Sequence, residues 1–350
     1  MKPLKILHIA NRAEKHLGKK FYSLPFKINN GFVRNGHNVY WFSDRDVAKT
    51  ASLIPSAKFG RAACNRRLLE VCRNFRPDVI ALAHADLITV ETLREVRALL
   101  PEARVFQYNI DGLATAGNIG KILDKIEVVD ATFITTGGPA LKQISAPNAP
   151  ACFIPNPVDP SIDCLCNWQF NDFDYDLFFV YSRSEWIDQT SMRALAFQNL
   201  PHDPPGMRVL MSTNLWGSEF IRGLGTAKMG TCFNQKPPGE PSGLGSNLYL
   251  YSSDRISQLM GNGLLTFSDS SFSLTDLYGT DALVDVSDYD DFRDKARFYQ
   301  ANDAARVSVA RQGHELSHRE FNERLVTGYM LETVMGEEYS HPYRWPLERY

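Results

Sequence analysis

A strand-then-helix alternation runs twice along this 350-residue chain, and it limits the fold more than any other feature. KILHIA (5–10) is a short apolar strand. Residues 21–35 follow as a helix, with Phe21, Leu24, Ile28 and Phe32 at three- and four-residue spacing. Gly36 ends that helix, as a glycine just past a helix terminus does. HNVYWFS (37–43) is a second strand. Residues 62–75 form a helix with Leu68, Leu69, Val71 and Cys72 inward, stopped by Pro77. DVIALAH (78–84) is almost wholly apolar, which marks a strand buried on both faces in a parallel sheet. The pattern continues through a helix at 89–99, RVFQYN (104–109), a helix at 118–128, ATFITT (131–136), a short helix at 139–145 and a closing strand, ACFIPNPVD (151–159). Repeated β-α order of this kind predicts a doubly wound sheet.

Residues 166–174 break the pattern and read as a linker. The alternation then restarts with DYDLFFVYS (174–182), a helix at 192–200 and a strand at 207–213. A helix over 219–228 and the strand GTCFN (230–234) follow. The next loop carries Pro237, Pro238 and Pro241 with Gly239, Gly243 and Gly245, and cannot be regular. A helix opens at 253–260, before the strands GLLTFSD (263–269) and ALVDVSD (282–288) and helices at 290–300, 303–319 and 321–334. The expected architecture is α/β: two Rossmann-like doubly wound domains facing a central cleft. The first spans 1–160 and the second 170–335, and a tail, 336–350, packs back toward the first. The length fits two domains at roughly 150 residues each. Ligands bind beyond the carboxyl ends of the strands in such sheets, so chemistry is expected in the loops there.

Charge is distributed unevenly. Residues 1–76 hold 16 Lys and Arg against 4 Asp and Glu, while the remainder holds 22 against 36. A basic first quarter suggests an anionic partner: phosphates, an acidic saccharide or a membrane surface. Zinc-finger spacing, an RNP-like aromatic motif and basic heptads are absent, which argues against nucleic acid. No apolar run reaches the ~18 residues of a membrane span. MKPLKILHIANR reads as a first strand rather than a signal peptide. The 6 cysteines include no CxxC pair, and Cys164 with Cys166 is a lone CxC. They are expected to be reduced in a cytoplasmic protein, one that sits at the inner face of the membrane.

The most informative stretch is SSDRISQLMGNG (252–263). Ser252 or Ser253 suits a helix cap, and Arg255 then falls in the first turn. Backbone N–H groups and a guanidinium together favour a phosphate. Arg183, after a strand, suits a second clamp; Lys228, near a helix end, and Asn234, after a strand, suit further donor contacts. Tyr249 and Tyr251 suit either base stacking or core packing. In the first half, Asp111 in YNIDG follows a strand and suits a base or a hydroxyl-orienting group, with a turn before Gly112 as the plain alternative. His84 and Asp86 close the central strand. Arg12, Lys15 and His16 lie in a basic loop, 11–20, after the first strand and suit an anionic acceptor. Thr135-Thr136-Gly137-Gly138 is a turn fit for close approach to a ligand. Asp44-Arg45-Asp46 has DXD spacing but reads as a solvated or Lys-paired turn.

The run YLYSSDRISQLMGNGLLTFSD (249–269) resembles the donor-site signature of GT-B glycosyltransferases, in particular the CgeB-like branch of the group 1 glycosyl transferases. The likeness continues through LYGTDALVDVSDYDDFRDKARFY (277–299) and ARVSVARQGHELSHREFNERLVTGYMLETV (305–334), and DYDLFFVYS and NPVDP resemble the family's domain junction. The chain departs from the family after the first strand of the second domain, where Tyr181-Ser182-Arg183 replaces the usual glycine. Asp254 is not followed by the second acid of an EX7E pattern. The resemblance implies a GT-B hexosyltransferase-like enzyme of polysaccharide biosynthesis. It would move a sugar from a nucleotide-diphosphate donor, UDP-linked, to a hydroxyl of a bacterial surface glycan or lipid-linked saccharide. It implies Arg183, Lys228, Asn234, Ser252, Ser253 and Arg255 on the donor and no bound metal. Asp111 and His84 then act on the acceptor hydroxyl, and Arg12, Lys15 and His16 bind the acceptor. The alternatives are a non-catalytic nucleotide-sugar-binding protein and a UDP-sugar epimerase of the same shape.

Overall fold

The computed structural model describes residues 2–51, 57–181 and 189–350. The first lobe runs β1 (Lys5–Ile9), α1 (Leu24–Arg34), β2 (Asn38–Phe42), α2 (Asp44–Thr50), α3 (Ala57–Phe75), β3 (Val79–Leu82), α4 (Val90–Leu99), β4 (Arg104–Asn109), α5 (Asn118–Leu123), β5 (Ala131–Ile134) and β6 (Ala151–Phe153). The second runs β7 (Tyr175–Val180), α6 (Met192–Asn199), β8 (Val209–Ser212), α7 (Ser218–Gly225), β9 (Ala227–Cys232), α8 (Arg255–Gly261), β10 (Leu265–Asp269), α9 (Thr275–Tyr278), β11 (Val284–Val286), α10 (Tyr289–Ala301) and α11 (Asp303–Glu320). A last helix, α12 (Glu323–Met335), follows.

The sheets are ordered β2-β1-β3-β4-β5-β6 and β11-β10-β9-β7-β8, with every pairing parallel. Counted from its own first strand, each lobe has the order 2-1-3-4-5, with β6 added as a sixth strand at the far edge of the first. Each therefore has one switch point, between β1 and β3 and between β7 and β9, where a crevice opens at the carboxyl ends. The doubly wound pair expected from the alternation is what the chain forms. All four residues of β3 are buried, as its apolar run requires. One apolar core runs from α1 and the inner face of the first sheet through Ile162, Phe178, Leu259 and Tyr278 to Tyr329 of α12. Separate cores cover the outer face of each sheet.

Two parts of the chain depart from the sequence reading in ways that bear on the site. The Asp44-Arg45-Asp46 segment is no solvated turn: it opens α2, with Asp44 and Asp46 buried. Asp46 accepts the Ser43 hydroxyl and the Glu14 N–H from the loop after β1, so the buried carboxylate is satisfied. Gly60 on α3 lets the two helices meet, since a Cβ there would lie 1.7 Å from the Ala48 carbonyl oxygen. The second difference is the crossover. The chain leaves the second lobe at Phe321, not at 335, and α12 lies against α1 of the first lobe. Gly31 permits that contact, because a Cβ there would meet the Glu323 carbonyl at 2.4 Å. The tail 336–350 lies on the first lobe as well. Ala151 and Tyr350 exchange backbone hydrogen bonds of 3.0 and 3.1 Å, and Tyr343 and Trp345 are buried.

Charged groups stitch the lobes at the crossover. Lys27 of α1, fully buried, donates to Asp163 at 2.6 Å and to Ser257 of α8 at 3.2 Å. Arg34 donates to both Asp159 and Glu323 at 2.6 Å. Among the described residues no helix is long and apolar enough to cross a membrane.

Candidate functional site

At the switch point of the second lobe, the residue after β7 is Tyr181. Its ring is buried, and its hydroxyl lies 2.9 Å from the Thr231 carbonyl and accepts the Phe233 N–H at 3.0 Å. These bonds pin the ring across β7 and β9. Two guanidiniums rest against it: Arg255 at 4.0 Å from the ring centroid and Arg193 at 4.6 Å. The ring quadrupole attracts each cation. Burial, and then the neighbouring charge of Arg255, push Arg193 down to about 10, so it still carries its charge at neutral pH. Arg193 donates its Nε–H to the Phe233 carbonyl at 3.1 Å, and Arg255 donates to the Ser253 hydroxyl at 2.9 Å. Among the described residues no carboxylate lies within ion-pair distance of either. Two like charges held together with donors to spare form a site for a multiply charged anion.

Side-chain amides fix the segment that carries Arg255. Asn156 donates to the Ser252 carbonyl at 2.8 Å and to its hydroxyl at 3.1 Å. Asn234 accepts the Ser253 N–H at 3.1 Å. Leu250 takes a left-handed φ of 58° and bonds the Phe272 carbonyl, which turns the chain into α8. The expected serine cap does not form. Asp254 occupies the cap position without capping a first-turn N–H; its carboxylate accepts the Gln258 amide at 3.2 Å, and the Ser253 hydroxyl accepts from Arg255.

The first lobe faces this site with a cavity of about 260 Å³ lined by Asn11, His16, Lys20, Asp44, Arg45 and His84. His84 follows β3 at the other switch point. Its Nε2 lies 3.7 Å from the Asp111 carboxylate. Burial lowers the imidazole below its usual range, while Asp111 and Asp86 pull the other way, so His84 is neutral at pH 7. A second cavity, about 190 Å³, shares Lys20 and Ser23 with the first and is lined across the gap by Tyr181, Trp216 and Arg255. Tyr251 stands between the two halves of the site. A Cβ on Gly112 would lie 2.7 Å from its ring, so the glycine after Asp111 is what lets the ring seat there. Burial, followed by the charge of Asp111, raises the Tyr251 hydroxyl to about 12, and Arg193 and Arg255 pull it back. One side chain therefore feels both the dyad and the arginine pair.

Residues 193–330 match a family model described as glycosyl transferase-like. A sucrose-phosphate synthase from Thermosynechococcus elongatus superposes with a TM-score of 0.58 at 12% identity, over 95% of this chain and 98% of that one. The chain has the GT-B fold, and its second lobe is similar to the glycosyl transferase-like family. HepE from Anabaena, solved in complex with UDP-glucose, gives 0.54 at 10% identity over 95% and 100% of the two chains. AviGT4, a glycosyltransferase involved in avilamycin A biosynthesis, gives 0.57 at 13% identity over 95% and 97%. No curated protein sequence matches the chain.

On this GT-B frame the sequence-derived residues fall into groups. Arg255, Ser253, His84, Asp111 and His16 meet at the interlobe gap. Asn234 and Ser252 are buried behind it and hold the segment in place. Lys228 is brought elsewhere: α7 stops at Gly225, so Lys228 enters β9 at its amino end and pairs with Asp176 at 3.9 Å. Arg12 pairs with Glu14 at 3.7 Å and lies over Trp41, and Lys15 is exposed; neither lines the first-lobe cavity. Arg183 lies outside the described residues. The glycines of the 135–138 turn approach no open space: Gly137 donates to the Tyr249 carbonyl at 2.8 Å and packs on Leu250. The cysteines are free thiols, and no three His, Cys, Asp or Glu cluster as metal ligands among the described residues. Arg193 was not singled out in the sequence. The signal was present: Ser191 caps α6 by accepting the Ala194 N–H, and the arginine follows in the first turn, as in the SSDR segment.

Proposed function

We propose that the chain transfers a sugar from a UDP-linked donor to a hydroxyl of an anionic or lipid-linked saccharide of the bacterial surface. The observation that carries the reading is the Arg193–Arg255 pair at the second switch point, facing the His84–Asp111 dyad. The diphosphate sits on the two guanidiniums, which supply the positive charge that a divalent cation would otherwise bring. HepE, with the same fold, binds UDP-glucose, which supports a uridine nucleotide here. The acceptor hydroxyl lies in the first-lobe cavity, where neutral His84 takes its proton and Asp111 stabilises the resulting imidazolium. The acceptor oxygen bonds the anomeric carbon as the bond to the phosphate oxygen breaks. The leaving charge grows on the diphosphate, where the arginines already point. Contact between the lobes keeps water from the donor.

A thermal-shift screen across nucleotide sugars tests this directly, because bound donor stabilises the fold by mass action. UDP and one UDP-sugar should raise the melting temperature, and UDP should be released only when an acceptor is added. A donor consumed without acceptor indicates an epimerase, and one bound but never consumed indicates a binding protein. No shift with any nucleotide overturns the proposal.

A further inference from the structure

The loop after β1 forms the outer rim of the first-lobe cavity, and its side chains point two ways. Lys20 turns inward and lies 3.5 Å over the Trp216 ring, while Lys19 accepts the Gly217 N–H on its carbonyl at 3.1 Å. The tip turns outward. Leu17 is 90% exposed, the most exposed large apolar side chain among the described residues, and Phe21 is 38% exposed. Lys15 and Lys19 flank Leu17 and are exposed too. Backbone hydrogen bonds close the tip into turns. Leu17 bonds back to Glu14 at 2.9 Å, Lys19 to His16 at 3.0 Å and Phe21 to Gly18 at 3.1 Å. Ala13 and Leu17 are held in left-handed conformations, at φ 57° and 49°. Such backbone costs energy in a non-glycine residue, here used to lift a leucine clear of the fold. The charges converge: Lys15, Lys20, Lys49 and Lys19 all act on His16. Glu14 is the single acid of the loop, paired with Arg12.

We propose that this tip seats on an anionic phospholipid surface, with Leu17 and Phe21 entering the headgroup layer and Lys15 and Lys19 meeting lipid phosphates. An exposed leucine ringed by lysines fits that partner better than a protein surface, because a bilayer offers apolar depth and negative charge together. Charge complementarity selects an anionic leaflet, consistent with the basic balance of residues 1–76. The loop borders the cavity that holds His84, so docking would bring a lipid-linked acceptor to the cavity mouth. This last consequence rests on the acceptor reading above; the docking itself does not.

The test is co-sedimentation of the nucleotide-free protein with phosphatidylcholine vesicles and with vesicles that also contain phosphatidylglycerol. Binding should need the anionic lipid and weaken with salt. Each lysine near such a surface is worth roughly fivefold, so Lys15→Glu with Lys19→Glu should weaken binding by well over an order of magnitude. Leu17→Asn, which suits the left-handed backbone, should weaken it about tenfold. Unchanged melting temperatures show that the variants fold. Binding that ignores these substitutions, or no preference for anionic vesicles, overturns the proposal. UDP affinity measured without lipid reports separately on the donor site.

Discussion

Removing Arg255 should cost the donor far more than the fold. In the free protein its contacts include the Ser253 hydroxyl, the Tyr181 ring and the Cys232 thiol. Together they contribute on the order of 2 kcal/mol. Against this stands the repulsion between Arg255 and Arg193, which helps hold Arg193 at about 10. Arg255→Ala relieves that repulsion, so the net stability change of the free protein should be within about 1 kcal/mol, a few degrees at most. With UDP bound the balance reverses. A guanidinium-to-phosphate bond is worth about 1.5–3 kcal/mol, roughly 10- to 150-fold in Kd. At a UDP concentration about 100 times the wild-type Kd, nucleotide stabilises the wild type by about 2.7 kcal/mol; a 100-fold weaker variant retains about 0.4. Titration calorimetry and the UDP-induced thermal shift measure both numbers on one preparation. A variant that binds UDP within threefold of wild type removes Arg255 from the diphosphate site. A large drop in the melting temperature of the free protein would show instead that the pair is structural.

Asp111→Asn should lower kcat by about 10²- to 10⁴-fold with UDP affinity kept, and full activity would return Asp111 to a turn-forming role. Because burial lowers His84, the rate should rise with pH and level off below the ordinary histidine value; losing Asp111, which raises His84, should move that limb to still lower pH. His8 is fully buried on β1, 2.8 Å from the Tyr108 hydroxyl, and burial pushes it down to about 4. The unfolded chain therefore takes up the proton first, so this stability is complete above about pH 6.5 and falls by about 3 kcal/mol as pH drops toward 4. Urea unfolding of His8→Gln should show a shallower slope across that window, and an unchanged slope would rule His8 out. Lys27→Met strands the buried Asp163, which burial already drives upward against Lys27, and should cost about 3–5 kcal/mol; adding Asp163→Asn should recover most of it. A single variant as stable as wild type in urea would show that the pair does no work at the crossover.

Strand positions were legible because burial on both faces leaves a plain signature: VIAL of β3 and YDLFFV of β7 cannot be anything but central. The SSDR segment was legible because polar residues that fix a turn must be coded locally. Arg193 was harder to weigh. Its role depends on Tyr181 and on the Phe233 carbonyl, forty residues along the chain, which become neighbours only when β7 pairs with β9. The acidic start of α2 read as a turn because burial of Asp46 is satisfied by Ser43 and by the N–H of Glu14, a partner thirty-two residues away. Lys228 was misplaced by a boundary of two or three residues. In either case it stands at the amino end of the strand that follows, away from the carboxyl ends where the cleft opens.

The two halves of the site are coupled through packing rather than through a shared ligand contact. Asp111 is followed by Gly112, and Gly112 touches the ring of Tyr251. Tyr251 in turn is adjacent to Ser252, which Asn156 of the first lobe holds, and lies within two residues of the Ser253 that Arg255 grips. The dyad and Arg255 therefore meet on one stretch, 249–255, that belongs to the second lobe but is pinned by the first at Gly137 and Asn156. Opening the lobes would have to break those bonds together with the Lys27–Ser257 and Gly217–Lys19 bonds that also cross between them. On the proposed reading, a release at 249–255 would part the His84–Asp111 dyad from Arg255, as an enzyme that expels water to react and opens to release its product requires.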